Sequence, residues 1–165
     1  LDEDTVIFLP DKYLGQYVAR QTSKRLILWE GACEVHERFT AAEIRAMRAP
    51  GVIVLAPPEC PPDVLDAADF VGSTAAMSDR IRHAGTDRVL LITECSMADN
   101  LAIEFPNVEF TRPCNLCPHM QRITLPKILS ALQNLAPAVE VDPQLAMRAR
   151  AAVQRMLEIG RRELA

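Results

Sequence analysis

The length, composition and charge of this chain exclude several classes of protein. It has 165 residues, 49% hydrophobic and 24% charged, with a formal net charge of −4. This composition is typical of one ordinary soluble domain rather than of a disordered segment. The negative charge gives no electrostatic reason to expect a nucleic acid or a membrane surface as partner. No apolar run approaches the ~20 residues that span a bilayer, and the first residues do not form a signal peptide, so we expect a cytoplasmic protein.

Short apolar strand patterns alternate with helical patterns along the chain. Strands are predicted at positions 6–9, 25–29, 52–56, 69–72, 89–93 and 108–112. Helices are predicted at positions 13–21, 40–48, 62–68, 74–83 and 97–105, and the second of these begins with a Thr40–Glu43 capping box. Consecutive apolar residues within strands are typical of parallel sheets that helices cover on both faces. The sequence therefore predicts an α/β fold of Rossmann-like three-layer modules with short parallel sheets.

The predicted elements divide the chain into three parts. Residues 1–33 form the end of one α/β module, and residues 34–116 contain four strands and form a complete module. Residues 117–165 are helical, and a long helix begins after Asp142-Pro143, a pair typical of a helix start. Because its apolar face needs cover, we expect the helical segment to pack on a module outside this sequence.

Five cysteines give the first indication of chemistry: Cys33, Cys60, Cys95, Cys114 and Cys117. In a reducing compartment, spaced cysteines more often bind metals or react than form disulfides. Cys33 follows a predicted strand, which places its thiol at the carboxyl edge of the sheet, where open α/β sheets bind ligands. A cysteine also packs well as a small buried hydrophobe, and this alternative stays open for each of them, Cys60 and Cys95 above all.

Cys114 and Cys117 form the strongest local motif, directly after the last predicted strand. Two sulfurs at this spacing can share a metal or a disulfide. The motif is therefore a thioredoxin-like redox pair, half of a zinc site, an iron–sulfur ligand or an inert pair. A zinc site would need a second pair of cysteine or histidine ligands at matching spacing, which the sequence does not contain. Pro118 directly after Cys117 is typical of iron–sulfur ligands.

Polar residues follow two further predicted strands. Glu59 lies in a loop with four prolines, which hold a carboxylate rigidly where it can act as an acid or base. Ser73 and Thr74 follow Gly72 at a predicted helix start, where backbone amides and hydroxyls suit a phosphate or carboxylate. The ordinary alternatives are a surface glutamate and a helix cap. Since the polar groups follow parallel strands, we expect them to converge.

Taken together, these segments resemble quinolinate synthase over essentially the whole chain. The resemblance is carried by Phe8-Leu9-Pro10-Asp11, by residues 28–40, and by Pro58-Glu59-Cys60-Pro61, Gly72-Ser73-Thr74, Thr93-Glu94-Cys95 and Asn115-Leu116-Cys117-Pro118. It implies three similar α/β modules around a pseudo-threefold axis, each of which supplies one cysteine to a [4Fe–4S] cluster. Three thiolates leave one iron open to substrate, so that the cluster acts as a Lewis acid.

The resemblance also implies an activity and its partners. The reaction condenses iminoaspartate with dihydroxyacetone phosphate to quinolinate, for NAD biosynthesis. Cys33 and Cys117 would be the second and third cluster ligands, Glu59 would transfer protons, and Ser73 and Thr74 would bind substrate. The missing N-terminal half of the enzyme is the implied protein partner, and L-aspartate oxidase is the candidate supplier of iminoaspartate.

The sequence departs from the family pattern in two ways. Pro57 stands where the family has histidine, and the first cluster cysteine belongs to the half that this sequence lacks. A truncated or degenerate homologue without activity is therefore the main alternative. A thiol oxidoreductase that uses Cys114 and Cys117 is another. We expect the chain by itself to be inactive and poorly stable.

Overall fold

The structure, a computed structural model, describes residues 2–163 and the side chains of residues 2–160. These residues form two compact units, one ending at Gln121 and the other beginning at Arg122. No helix in the described part of the chain combines the length and hydropathy needed to cross a membrane.

The first unit begins with a two-stranded parallel sheet. Strand β1 (Thr5–Phe8) pairs with β2 (Arg25–Leu28), and helix α1 (Lys12–Ala19) connects them. A Cβ atom at Gly15 would lie 2.5 Å from the side chain of Leu28, so a glycine at this position lets α1 pack closely on the sheet. This crossover places the ends of β1 and β2 at the same edge.

A four-stranded parallel sheet follows in the same unit. Its strands are β3 (Ile53–Ala56), β4 (Phe70–Val71), β5 (Arg88–Leu91) and β6 (Glu109–Thr111), in the spatial order β4-β3-β5-β6. The helices around it are α2 (Ala41–Met47), α3 (Pro62–Asp66), α4 (Thr74–Ala84) and α5 (Cys95–Glu104). The strand order reverses between β3 and β5, and open α/β sheets bind ligands beyond the strand ends at such a reversal.

Helices cover both faces of this sheet. Val54 and Leu90 belong to a buried cluster that includes residues of α2 and α3. Leu55 and Leu91, the next residues along the same strands, belong to a second cluster with residues of α4 and α5. Successive strand side chains point to opposite faces, so burial on both sides explains the consecutive apolar residues.

The predicted α/β fold with short parallel sheets is confirmed. The strands lie within the predicted segments or one residue outside them. Helix α5 begins at Cys95 rather than position 97, because the Glu94 side chain accepts the N–H of Ser96 and starts the helix earlier. The predicted capping box of Thr40 and Glu43 is present. The division into three modules and the pseudo-threefold axis remain predictions.

The second unit is helical. Helix α6 spans Leu125–Asn134 and α7 spans Pro143–Glu163. The side chain of Asp142 accepts the N–H groups of Gln144 and Leu145, which confirms the predicted helix start. Large apolar side chains remain exposed on both helices, among them Leu125, Leu132, Leu145, Val153 and Met156.

Two isoleucines on helices provide a matched test of the core. Ile81 on α4 is 4% exposed, whereas Ile103 on α5 is 83% exposed. Ile81→Ala should lower the free energy of unfolding by about 2–4 kcal/mol because it leaves a cavity. Ile103→Ala should change it by less than about 0.5 kcal/mol. Urea unfolding followed by circular dichroism measures both, and equal losses would contradict this description of the core.

Candidate functional site

Cys33 lies in the loop beyond β2, half-buried and with a free thiol. Its backbone N–H donates to Oδ2 of Asp11, at 2.8 Å. Asp11 follows β1 and is buried, and its Oδ1 accepts the N–H groups of Tyr13 and Leu14 at the start of α1. One carboxylate therefore connects the Cys33 loop to α1.

Cys117 lies in the loop beyond β6, also half-buried and free. Its backbone N–H donates to Oε1 of Glu94, at 3.4 Å. Glu94 is buried, and its Oε2 accepts the N–H of Ser96 at 2.7 Å, at the start of α5. A parallel bridge between Glu94 and Asn115 extends the pairing of β5 and β6 toward Cys117.

The two cysteine loops meet. Cys33 and Cys117 both pack against the same buried cluster, which includes Val35 and Cys60. Nε2 of His119 lies 3.0 Å from Oε1 of Glu34, although the contact lacks hydrogen-bond geometry. Residues beside each cysteine are therefore in contact across the ends of different sheets.

Glu59 lies close to Cys33. Both residues line a cavity of about 420 Å³, together with Pro10, Asp11, Leu14, Gly31 and Ala32. Pro57 follows β3 directly and is buried, and its carbonyl accepts the N–H of Cys60 at 3.2 Å. The loop after β3 thus brings a carboxylate to the edge where Cys33 lies.

Ser73 and Thr74 are exposed at the start of α4. Oγ of Ser73 accepts the N–H of Ala76 at 3.2 Å, so this hydroxyl is a helix cap. Thr74 lines a second cavity of about 700 Å³, whose walls also include Glu94 and Met120. Of the residues predicted from the sequence, Glu59 shares a cavity with Cys33, whereas Thr74 lines a separate one beside Glu94.

His36 and Thr93 also line the second cavity, and sequence reasoning gave them no role. Nε2 of His36 lies 3.1 Å from Oγ1 of Thr93. Burial lowers the pKa of His36, while the charge of Asp11 acts in the opposite direction, so the imidazole is neutral at neutral pH. Its buried Nδ1 has no hydrogen-bond partner among the described residues. Thr93 lies just past β5, which was the available signal, whereas His36 lies in a short 3₁₀ helix (His36–Arg38) that does not directly follow a strand.

The other cysteines differ from this pair. Cys95 and Cys114 form a disulfide, with 5.3 Å between their Cα atoms, so the alternative of a Cys114–Cys117 redox pair is wrong for this structure. Cys60 is fully buried, and desolvation raises the pKa of its thiol far above the usual range. Cys33, Cys60 and Cys117 are the free thiols of the described chain, and Cys60 belongs to the core.

The cysteine pair fits part of an iron–sulfur site. Thiolates are the usual ligands of such clusters, and a half-buried free thiol is reachable. Among residues 2–160, no three His, Cys, Asp or Glu side chains are grouped so as to hold a metal ion. A cluster with three thiolate ligands would therefore need one cysteine in addition to Cys33 and Cys117.

The fold and these loops define an α/β protein whose candidate site lies at the carboxyl ends of its parallel strands. Comparison with known proteins specifies the family. The family model NadA, described as quinolinate synthetase A protein, matches residues 1–158. The chain belongs to this family.

Curated relatives support the same assignment. The chain is 60% identical over 156 residues to quinolinate synthase of Agrobacterium fabrum, a match that covers 93% of this chain and 45% of the relative. It is 59% identical over 156 residues to quinolinate synthase 2 of Mesorhizobium japonicum, with 93% and 48% covered. The chain therefore spans about half the length of the curated relatives it matches.

Burial predicts which thiols react with an alkylating reagent. In the native chain without reductant, iodoacetamide should modify Cys33 and Cys117 but not Cys60, which is buried and has a raised pKa. Cys114 should react only after a dithiol has reduced its bond to Cys95. Peptide mass spectrometry measures each site, with the urea-unfolded chain as the control. Modification of Cys60 as fast as Cys33 in the native chain would contradict the structure.

Proposed function

We propose that this chain forms part of a quinolinate synthase that condenses iminoaspartate with dihydroxyacetone phosphate, with loss of phosphate and water. A [4Fe–4S] cluster would be held by Cys33, Cys117 and a third cysteine from the remainder of the enzyme. When bound, this cluster supplies Lewis-acid chemistry at an iron without a protein ligand. We place the enzyme in the cytoplasm, with L-aspartate oxidase as the supplier of iminoaspartate.

The observation that carries the proposal is the meeting of the Cys33 and Cys117 loops. The cysteines follow strands of different sheets, yet both pack against the same buried hydrophobic residues of the core. Glu34 and His119, which lie beside them in the sequence, are in contact. Neither thiol is used in a disulfide. Two reachable thiols brought together from distant parts of a chain are what a shared cluster requires.

The proposed roles of the other residues follow from their positions. Glu59 lines the cavity beside Cys33, where a carboxylate can accept and return protons during dehydration and ring closure. Thr74 offers an exposed hydroxyl at the start of α4 to a phosphate or carboxylate of the substrate. The hydroxyl oxygen of Ser73 accepts the N–H of Ala76, which leaves its O–H free to donate to the same substrate group.

Uncovered apolar surfaces support the need for the remainder of the enzyme. In the two-stranded sheet, Ile7 is 71% exposed and Ile27 is 47% exposed, with exposed Trp29 next to them. In the helical unit, large apolar side chains of α6 and α7 are also exposed. Surfaces of this kind usually lie against other protein in the mature assembly. We therefore propose that the chain by itself is inactive and poorly stable.

A chimaera tests the cluster ligands directly. This chain would replace the matching segment of the Agrobacterium fabrum quinolinate synthase, and the product would be purified without oxygen. Cys33→Ala and Cys117→Ala should each abolish the bound [4Fe–4S] cluster and quinolinate formation, because two thiolates do not hold it. Iron and sulfide analysis, absorption, and electron paramagnetic resonance after one-electron reduction with dithionite give the cluster content.

Cys60→Ala is the matched control, since it removes a free thiol that lies in the core. It should keep both the cluster and the activity. The isolated chain, reconstituted with iron and sulfide, should hold no stoichiometric cluster and form no quinolinate. Full cluster content in Cys33→Ala or Cys117→Ala would overturn the ligand assignment.

Pro57 supports a second candidate function, a homologue without activity, because the family has histidine at this place. An imidazole can bind or polarise a substrate, whereas proline can do neither. In the chimaera, Pro57→His should raise the turnover rate by at least about ten-fold, and Pro58→His at the neighbouring proline should not. Steady-state assay of quinolinate measures both. Equal turnover by all three forms would exclude a role for position 57.

A further inference from the structure

Asp11 and Glu94 are the buried carboxylates of the described residues, at 7% and 8% exposure. Removal of a carboxylate from water is unfavourable unless hydrogen bonds compensate for it. Both side chains have such bonds, and in both cases one of the donors is the backbone N–H of a free cysteine, Cys33 or Cys117.

The two carboxylates divide their oxygens in a similar way. In Asp11, Oδ1 accepts N–H groups at the start of α1, and Oδ2 accepts the N–H of Cys33. In Glu94, Oε2 accepts an N–H at the start of α5, and Oε1 accepts the N–H of Cys117 together with the hydroxyl of Ser96. Each carboxylate therefore connects a rigid helix to the backbone of a cysteine.

The same order of elements surrounds both pairs. A strand, a carboxylate, a helix and a parallel strand precede the cysteine, which lies 22 residues after Asp11 and 23 after Glu94. Cys60 differs, since its N–H donates to the carbonyl of Pro57. A hydrogen bond from the backbone N–H to a buried carboxylate is thus shared by the two half-buried free cysteines and is absent at the buried one.

We propose that Asp11 and Glu94 are paired positioning residues, which fix the backbones of Cys33 and Cys117 so that both sulfurs face the cluster. This inference rests on the proposed function, because it takes those cysteines as ligands. A carboxylate that accepts a hydrogen bond from the backbone of a metal ligand can orient that ligand without binding the metal itself. The negative charges beside the cysteines would also favour the oxidised cluster, whose total charge is less negative.

The test uses Asp11→Asn and Glu94→Gln in the chimaera. An amide keeps one oxygen for the helix start, but its NH₂ group faces the cysteine N–H, so that the hydrogen bond and the charge are both lost. Glu43→Gln is the matched control. Glu43 accepts the N–H of Thr40 at the start of α2, is exposed, and is not bonded to a cysteine.

Two measurements on the cluster follow. Iron loss to a chelator should become about 10–100-fold faster in Asp11→Asn and Glu94→Gln. The reduction potential of the cluster should become more positive, because the removed charge no longer opposes the added electron. Glu43→Gln should match the unmodified chimaera in both. Unchanged iron loss and potential in both amide variants would overturn the inference.

A third measurement separates this inference from the proposed function. In the chimaera prepared without its cluster, Asp11→Asn should accelerate alkylation of Cys33 but not of Cys117, and Glu94→Gln should do the reverse. This crossed pattern supports positioning even if Cys33→Ala and Cys117→Ala were to retain the cluster. Equal alkylation rates in all forms would contradict the positioning role of Asp11 and Glu94. The ligand assignment would still be tested separately by Cys33→Ala and Cys117→Ala.

A second pair of variants covers the case in which an amide prevents folding. Asp11→Ser and Glu94→Ser each place a favourable capping residue at the helix start, while a serine side chain is too short to reach the cysteine N–H as well. They should fold, as judged by circular dichroism, and show the same crossed alkylation pattern. Folded serine variants with unchanged alkylation of both cysteines would contradict the proposal.

Discussion

Parallel pairing of β1 with β2 and of β5 with β6 is the constraint on which the candidate site depends. Parallel strands joined by a helix end at the same edge of a sheet, so the loop after the first strand lies beside the loop after the second. Asp11 therefore reaches Cys33, and Glu94 reaches Cys117, across one crossover each. Without this pairing the two carboxylates would lose the cysteine N–H groups and would keep only the donors at the helix starts to compensate for the loss of water.

The fold was largely predictable because its strands have an unusual pattern. Residues 53–56 and 88–91 are mostly apolar at consecutive positions, and the structure buries them between helices on both faces. Capping residues such as Thr40 and Asp142 also predicted helix starts correctly. The separation of the strands into two sheets depends on which strands pair, and local sequence patterns carry little information about that.

The candidate site was predicted less completely. Strand ends indicated Cys33, Glu59 and Cys117, but the partner of Cys114 could not be predicted from the two-residue spacing within its own motif. Cys95 lies 19 residues away along the chain, and pairing of β5 with β6 brings it beside Cys114. The spacing within the motif predicts that Cys114 pairs with the nearby Cys117. The pairing of the strands instead places Cys114 next to Cys95. Asp11 and Glu94 belong to segments that resemble the family, but a single sequence does not show that their carboxylates are buried. Their contacts with the cysteines could therefore not be predicted.

The central claim is that Cys33 and Cys117 hold iron together. Crystals of the chimaera, grown without oxygen and measured at the iron absorption edge, test it most directly. We expect anomalous density for a compact iron cluster bonded to Sγ of both cysteines. Iron density bonded to only one of them, or located elsewhere in the molecule, would contradict it.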